Sequence, residues 1–411
     1  MFDPSIHQNL CSHLDIVGVC RPIAQRREAV TEPIIAGVAE SDLGETPNRN
    51  WLENAAVAAT RALDDAGCTI DEIDGVAVAG GDDYMPALQF AEYLNLDHPS
   101  FLEGTEIGGS SFEAFCGDVR DRMATSDLDV VVVAYGSTSK TGPSRNGSRE
   151  VTNPTERFTR PTGLFTPPGA YAMACQRHMH EYGTTEEQLA EIAVSTREWA
   201  ALNPKAAHRD PLTVDDVLES RPIAAPFNLL DCCLVSDGGG AVVLVSAEKA
   251  DELGVPRIGV AGVASTMTHR GDISQMGDMT TTGAAVTGPA AFAEAGITHD
   301  DVDVAQIYDS FTYTALVTLE DLGFCEKGAG GQFVTDGTTA PGGELPMNTQ
   351  GGGLSYCHPG HFGVFLLIEA VRQLRGDYEG ERQVDGAETA IAHGTGGILS
   401  SSSTVVLRRD A

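Results

Sequence analysis

A chain of 411 residues carries 59 acidic against 26 basic side chains, a formal charge of −33, which repels nucleic acid and anionic membranes and argues against either as a partner. No run of about 18 apolar residues appears, and the start of the chain holds Arg21, Arg26, Arg27 and Glu28 without an apolar signal stretch, so a cytoplasmic protein is expected. The acid is dispersed and lysine is confined to Lys140, Lys205, Lys249 and Lys327, a surface suited to a salt-rich cytoplasm where screening removes the cost of self-repulsion.

Residues 1–31 match no clear period and read as an N-terminal extension. A strand at Pro33–Val38 opens the fold, followed by an amphipathic helix from Asn50 to Ala66 that ends at Gly67 and a strand at Ile73–Ala79. Next comes the stretch around which the chain is organised, Thr105 to Ala114. Gly108 and Gly109 permit a tight turn, and Ser110 and Ser111 sit where Phe112, Phe115, Val119 and Met123 begin a helical spacing. A hydroxyl there meets free N–H groups and the positive end of the helix dipole, as a nucleophile needs. Ser110-Ser111-Phe112-Glu113 also fits a capping box, and on this segment alone the cap is the favoured reading. The unbroken run Val130–Ala134 reads as a strand covered on both faces.

Residues 140–225 form a long insertion, rich in Pro, Thr and Arg at first and helical over Tyr171–Tyr182 and Glu186–Leu202, read as a lid or substrate cap. A strand at Asp237–Val245 closes the first half. Ala66-Gly67-Cys68-Thr69-Ile70-Asp71-Glu72-Ile73-Asp74 then reappears without a gap as Ala295-Gly296-Ile297-Thr298-His299-Asp300-Asp301-Val302-Asp303. The chain is thus two copies of one α/β unit: 32–139 with 226–256, and 257–411. The second copy carries Tyr308-Asp309-Ser310-Phe311-Thr312, a glycine-rich turn ending Cys357-His358-Pro359-Gly360-His361 before a helix from Phe362 to Arg375, and His393-Gly394-Thr395-Gly396-Gly397 after a last core strand. Nine cysteines show no C-x-x-C pair or zinc spacing, so neither disulfides nor a metal site are expected, and no phosphate-loop motif is present.

Two α/β copies, a small-residue turn into a helix, a G-H-P-G-like turn and a final G-x-G-G-like turn together resemble the thiolase superfamily. Tyr308–Thr312, Leu322–Gly328 and Gln373–Gly376 resemble its sterol-carrier-protein-X branch. The resemblance implies a layered α-β-α-β-α core with an inserted lid. It also implies an acyl-CoA or acetyl-CoA substrate with no other cofactor, a homodimer and, for this branch, a small OB-fold subunit of zinc-ribbon type. The two thiolase cysteines are missing. Counting back from Ala134 puts the nucleophile position at Gly109 or Ser110, counting from Ala114 puts it at Gly108, and His393 stands where the second cysteine belongs.

Ser110 with His358 and His393 resembles the haloarchaeal type of β-ketothiolase, which implies a Ser-linked acyl-enzyme and a supply of β-ketoacyl-CoA for polyhydroxyalkanoate synthesis. On that reading His358 activates Ser110, His393 takes the Cα proton, and backbone N–H groups at Ser110 and over Thr395 and Gly396 hold the oxyanion, with Tyr308 and Ser111 as auxiliaries. Arg145, Arg149, Arg157 and Arg160 are the basic cluster for coenzyme A. The alternative is a thiolase-like retro-aldolase acting on a β-hydroxyacyl-CoA with Tyr308 as its acid and base. A non-catalytic acyl-CoA or lipid carrier is the reading of another class. Cys116 is a poor rival nucleophile, because it lies a turn or more into the helix.

Overall fold

Residues 32–80, 85–142, 156–164 and 166–410 of the computed structural model are described. The expected extension, Arg145, Arg149 and the side chain of Arg160 lie outside the described residues. The first half runs β1 (Ile34–Glu40), α1 (Trp51–Ala66), β2 (Gly75–Val78), α2 (Pro86–Tyr93), β3 (Phe101–Glu103), α3 (Ser111–Met123) and β4 (Val130–Thr138). The insertion holds α4 (Glu156–Thr159), α5 (Pro168–Tyr182), α6 (Glu186–Leu202), α7 (Val214–Leu218) and β5 (Pro222–Ala224), and β6 (Phe227–Asn228) follows it. After β7 (Asp237–Val245) and α8 (Ala247–Leu253), the second half runs β8 (Ile258–Met267), α9 (Ala284–Ala295), β9 (Val304–Ile307), α10 (Thr312–Leu322), α11 (Gly330–Thr335), α12 (Gly363–Arg375), β10 (Thr389–Gly396) and β11 (Ser401–Arg409).

The sequence repeat is a repeat of capping chemistry. Gly67 (φ 75°) and Gly296 (φ 68°) end α1 and α9 in the left-handed region, where a side chain is disfavoured. Thr69 with Glu72, and Thr298 with Asp301, then close identical short 3-10 turns by reciprocal caps. Among the described residues the main sheet orders as β3-β2-β4-β7-β1-β8-β11-β10-β9. Within it β2 runs parallel to β4, β4 antiparallel to β7 and β7 antiparallel to β1, while β9, β10, β11 and β8 repeat those relations in turn. The halves meet at a short β1–β8 pairing, Ile34 opposite Gly259.

Strand alternation explains the valine run. Val130, Val132 and Ala134 join an outer core with α1, whereas Val131, Val133 and Tyr135 join a central core with Phe112 and Phe115 of α3 and Phe365 and Ile368 of α12. Helices α3 and α12 are shared: α3 packs on β8, β10 and β11, and α12 on β1 and β7 as well as on β9 and β10. A second outer core, with Ile391, Val406 and Phe292, lies under α9 and α10. The expected layering is therefore present, with the two N-termini of α3 and α12 meeting at its centre. The insertion is anchored deep in the fold: Trp199 Nε1 donates to Thr339 O at 2.9 Å, and Ala207 N and His208 N donate to Tyr356 O (3.1 Å) and Ser355 O (3.0 Å). No helix among the described residues is long and apolar enough to cross a membrane.

Candidate active site at the junction of the two halves

Four segments converge where α3 and α12 begin. The turn Gly108–Ser110 leads into α3, and β10 runs beside it. Beyond the end of β9 stands Tyr308, and the turn before α12 carries His358. At Gly109 a Cβ atom would overlap the ring of Tyr308 and lie 2.8 Å from the carbonyl oxygen of Thr395. The space in front of this turn is thus occupied by an aromatic ring, which is why glycine stands there.

Tyr308 is 5% exposed, and its hydroxyl lies 2.9 Å from His358 Nε2 and donates to Gly360 O at 3.0 Å. The turn holding those two partners is pinned from the other side. Tyr135 and Ser139 hydroxyls each donate to Pro359 O at 2.8 Å, His361 N donates to Tyr135 Oη at 3.0 Å, and His358 N donates to Ser236 Oγ at 3.0 Å. Burial pushes the Tyr308 phenol well above its ordinary value, with Cys233, Tyr171 and Tyr135 adding to the effect. Burial likewise brings His358 down to about 4, helped by the nearby His361. At neutral pH the pair rests as a neutral phenol against a neutral imidazole, so the imidazole is free to take up a proton.

Ser110 is fully buried, and its hydroxyl donates to Ile107 O (2.9 Å) and to Ser401 Oγ (2.8 Å). The capping box is not formed: Ser110 makes no side-chain cap, and neither carboxylate oxygen of Glu113 has a hydrogen-bond partner. Ser111 Oγ instead accepts from Ile107 N at 3.0 Å. Glu113 lies buried in space left by Gly363 and Gly394, where added Cβ atoms would crowd its Oε2, and burial pushes it up to about 8. The local S-x-x-E pattern pointed to a cap and missed a buried neutral acid.

His393 does not join Ser110. Residues along β10 alternate between two layers, and Gly394, not His393, abuts the α-carbon of Ser110. His393 pairs with Ile307 and Thr404 on the opposite face, its Nδ1 lying 2.8 Å from Thr404 Oγ1, which in turn meets Thr287 of α9 at 2.8 Å. Its Nε2 has no partner, and burial alone brings it down to about 3. The expected Ser110–His358–His393 constellation is therefore not assembled, because a one-residue difference along a strand reverses the face. Thr395 and Gly396 are paired with Ser402 and Ser401, Thr395 Oγ1 donates to Ser401 O at 3.1 Å, and what β10 presents to Gly109 is a carbonyl oxygen. Arg157 is exposed on α4. Cys116 is buried and its thiol pushed far up, so it is not a nucleophile.

A family model described as "Thiolase C-terminal domain-like" matches residues 264–409. The steroid side-chain-cleaving aldolase of Thermomonospora curvata is 33% identical over 364 residues, covering 83% of this chain and 90% of that protein. The chain belongs to the thiolase superfamily, as a sterol-carrier-protein-2-like member. Another relative is the acetyl-CoA acetyltransferase of Methanothermobacter thermautotrophicus, 31% identical over 392 residues, or 91% of this chain and 99% of that one. Among solved structures the Ltp2-ChsH2(DUF35) aldolase superposes with a TM-score of 0.84 at 30% identity, covering 92% of this chain and 98% of that one.

Proposed function

We propose that this protein processes acyl-CoA thioesters by breaking, or in reverse forming, the Cα–Cβ bond of a β-hydroxyacyl-CoA, with Tyr308 and His358 moving the proton. The observation that carries this reading is the Tyr308 ring against Gly109, its hydroxyl 2.9 Å from His358 Nε2. A retro-aldol step needs the β-hydroxyl proton removed as the Cα–Cβ electron pair passes to the thioester enolate, and the same proton returned at Cα. The Tyr308 proton turns from Gly360 O to His358 Nε2 as Tyr308 accepts the substrate's hydroxyl proton, a ketone or aldehyde departs, and the proton held on His358 returns through Tyr308 to the enolate carbon. Atoms and charge balance, and no acyl-enzyme is needed. The two aldolases that this chain resembles over most of its length support the reading, and one of them, the Ltp2-ChsH2(DUF35) aldolase, supports a small partner subunit here. A cytoplasmic homodimer core carrying that OB-fold subunit is proposed on the family resemblance.

The second reading is a β-ketothiolase with Ser110 as nucleophile, supplying polyhydroxyalkanoate synthesis in a salt-adapted cell. The acetyl-CoA acetyltransferase relative favours it. Two assays on the protein co-purified with its partner separate the readings. One is cleavage of 3-hydroxy-3-methylbutanoyl-CoA and longer tertiary homologues to a ketone and a shorter acyl-CoA. The other is thiolysis of acetoacetyl-CoA by free CoA. The proposal expects cleavage that Ser110→Ala retains and Tyr308→Phe lowers at least about 10²-fold. Thiolysis lost in Ser110→Ala, with Tyr308→Phe fully active, would replace the first reading by the second.

A further inference from the structure

The turn that presents His358 begins at Gly351 and passes through a π-helical stretch, Gly352–Tyr356, buried throughout. Such a stretch leaves N–H groups at its start without partners inside the turn. The carboxylate of Asp309, next in the chain to Tyr308 and itself fully buried, takes two of them, accepting from Gly353 N at 2.6 Å and Leu354 N at 3.3 Å. The fit is tight enough to dictate sequence. Gly352 has φ 57°, and a Cβ there would overlap Asp309 Oδ2. A Cβ at Gly353 would lie 3.0 Å from Asp309 Oδ1 and 3.2 Å from His358 Cδ2, so the carboxylate and the imidazole flank one small space.

Further along, the same turn is held by groups from other parts of the fold. Tyr356 hydroxyl donates to Glu40 Oε1 at 2.7 Å, Arg197 Nε donates to Ser355 Oγ at 2.8 Å, and Leu234 N donates to Gly353 O at 2.9 Å. Asp309 is the member of this set that also stands beside the imidazole. We propose that Asp309 is a positioning residue for His358: it fixes the turn that aims Nε2 at Tyr308 and places a carboxylate beside the imidazolium formed while His358 holds the proton. Burial pushes Asp309 up to about 7, so a cation forming alongside finds a group ready to carry the opposing charge. The inference rests on the aldol reading, in which His358 gains and loses a proton in each turnover.

The test uses Asp309→Asn, which keeps an acceptor for one N–H and removes the charge. With 3-hydroxy-3-methylbutanoyl-CoA as substrate, kcat is expected to fall about 10²-fold while KM stays within about threefold and the unfolding temperature stays near wild type. On a His358→Ala background the same substitution is expected to add no further loss, because its partner is gone. Wild-type kcat in Asp309→Asn, a rise in KM alone, or an equal loss on both backgrounds would overturn the inference. If Asp309→Asn does not fold, Gly353→Ala takes its place by pushing carboxylate and imidazole apart. That variant should lose about tenfold in kcat at unchanged KM, and full kcat would overturn the inference. Full activity in Tyr308→Phe would instead defeat the aldol reading itself, whatever Asp309 variants do.

Discussion

Replacing Glu113 by Gln should make the protein more stable in alkali and leave it nearly unchanged in acid. Glu113 is completely buried without a partner, and burial raises it from 4.5 to about 8. Below pH 4.5 the group is neutral in folded and unfolded chains alike and contributes no pH dependence. As pH rises from 4.5 towards 8 the unfolded chain gives up this proton and the folded one keeps it. Stability is therefore lost at about 1.4 kcal/mol per pH unit until the folded group also ionises. Over that span the loss reaches at most about 5 kcal/mol, and relaxation around the carboxylate reduces it to about 2–4 kcal/mol. Gln has the shape of the protonated acid and does not titrate. Urea unfolding of both proteins at pH 4.5, 6.5 and 8.5 in constant salt measures the difference directly. The variant should match wild type at the lowest pH and exceed it by about 2–4 kcal/mol at the highest. Parallel curves across the range, or a variant less stable at pH 8.5, would refute a buried neutral Glu113.

His393 gives the opposite sign. Its folded value is about 3 against an ordinary 6.5, so stability is lost as pH falls below 6.5; at pH 4.5 His393→Asn should lessen that acid loss by about 1–3 kcal/mol while aldol cleavage stays within about threefold of wild type. Circular-dichroism unfolding at pH 4.5 and 7 together with the cleavage assay checks both halves of that expectation. Gly109→Ala puts a Cβ into the Tyr308 ring; we expect a loss of about 1–3 kcal/mol and a fall in kcat of at least about 10²-fold, read by melting and by turnover. Arg372 donates to both oxygens of the buried Glu40, at 2.5 and 2.8 Å, and holds its carboxyl far below the usual range. Arg372→Met leaves that carboxylate to Lys205 Nζ (3.1 Å) and the Tyr356 hydroxyl (2.7 Å) and should cost about 2–4 kcal/mol in urea unfolding.

Local chemistry was legible in the sequence. The two Ala-Gly-x-Thr segments repeat because a left-handed glycine and a Thr/acid cap are complete within nine residues. The valine run marked a strand buried on both faces for the same reason, and its alternate residues enter the outer core under α1 and the central core. That double burial is also why His393 was misplaced: where both faces are apolar, no polar alternation reveals which way a given side chain points. The capping box expected at Ser110 gives way to a hydrogen bond with Ser401, 291 residues away, which no local pattern reveals. His358 and Tyr308 each stand in a recognisable motif, but their mutual contact, and the space that Gly109 yields to Tyr308, exist only once the halves are assembled. Asp309 stood in a quoted motif without a role, since the N–H groups it caps lie more than forty positions away.

Proton transfer by Tyr308 without a covalent intermediate is tested most directly by the mass of the intact protein after incubation with acetyl-CoA. The protein is taken with its partner, mixed with excess thioester, quenched in acid and weighed, then digested to locate any adduct. We predict an unchanged mass, while the same preparation exchanges the acetyl-CoA methyl protons with solvent and Tyr308→Phe does not. An acetyl group on the Ser110 peptide, absent from Ser110→Ala, would contradict the account and establish the acyl-enzyme of a thiolase.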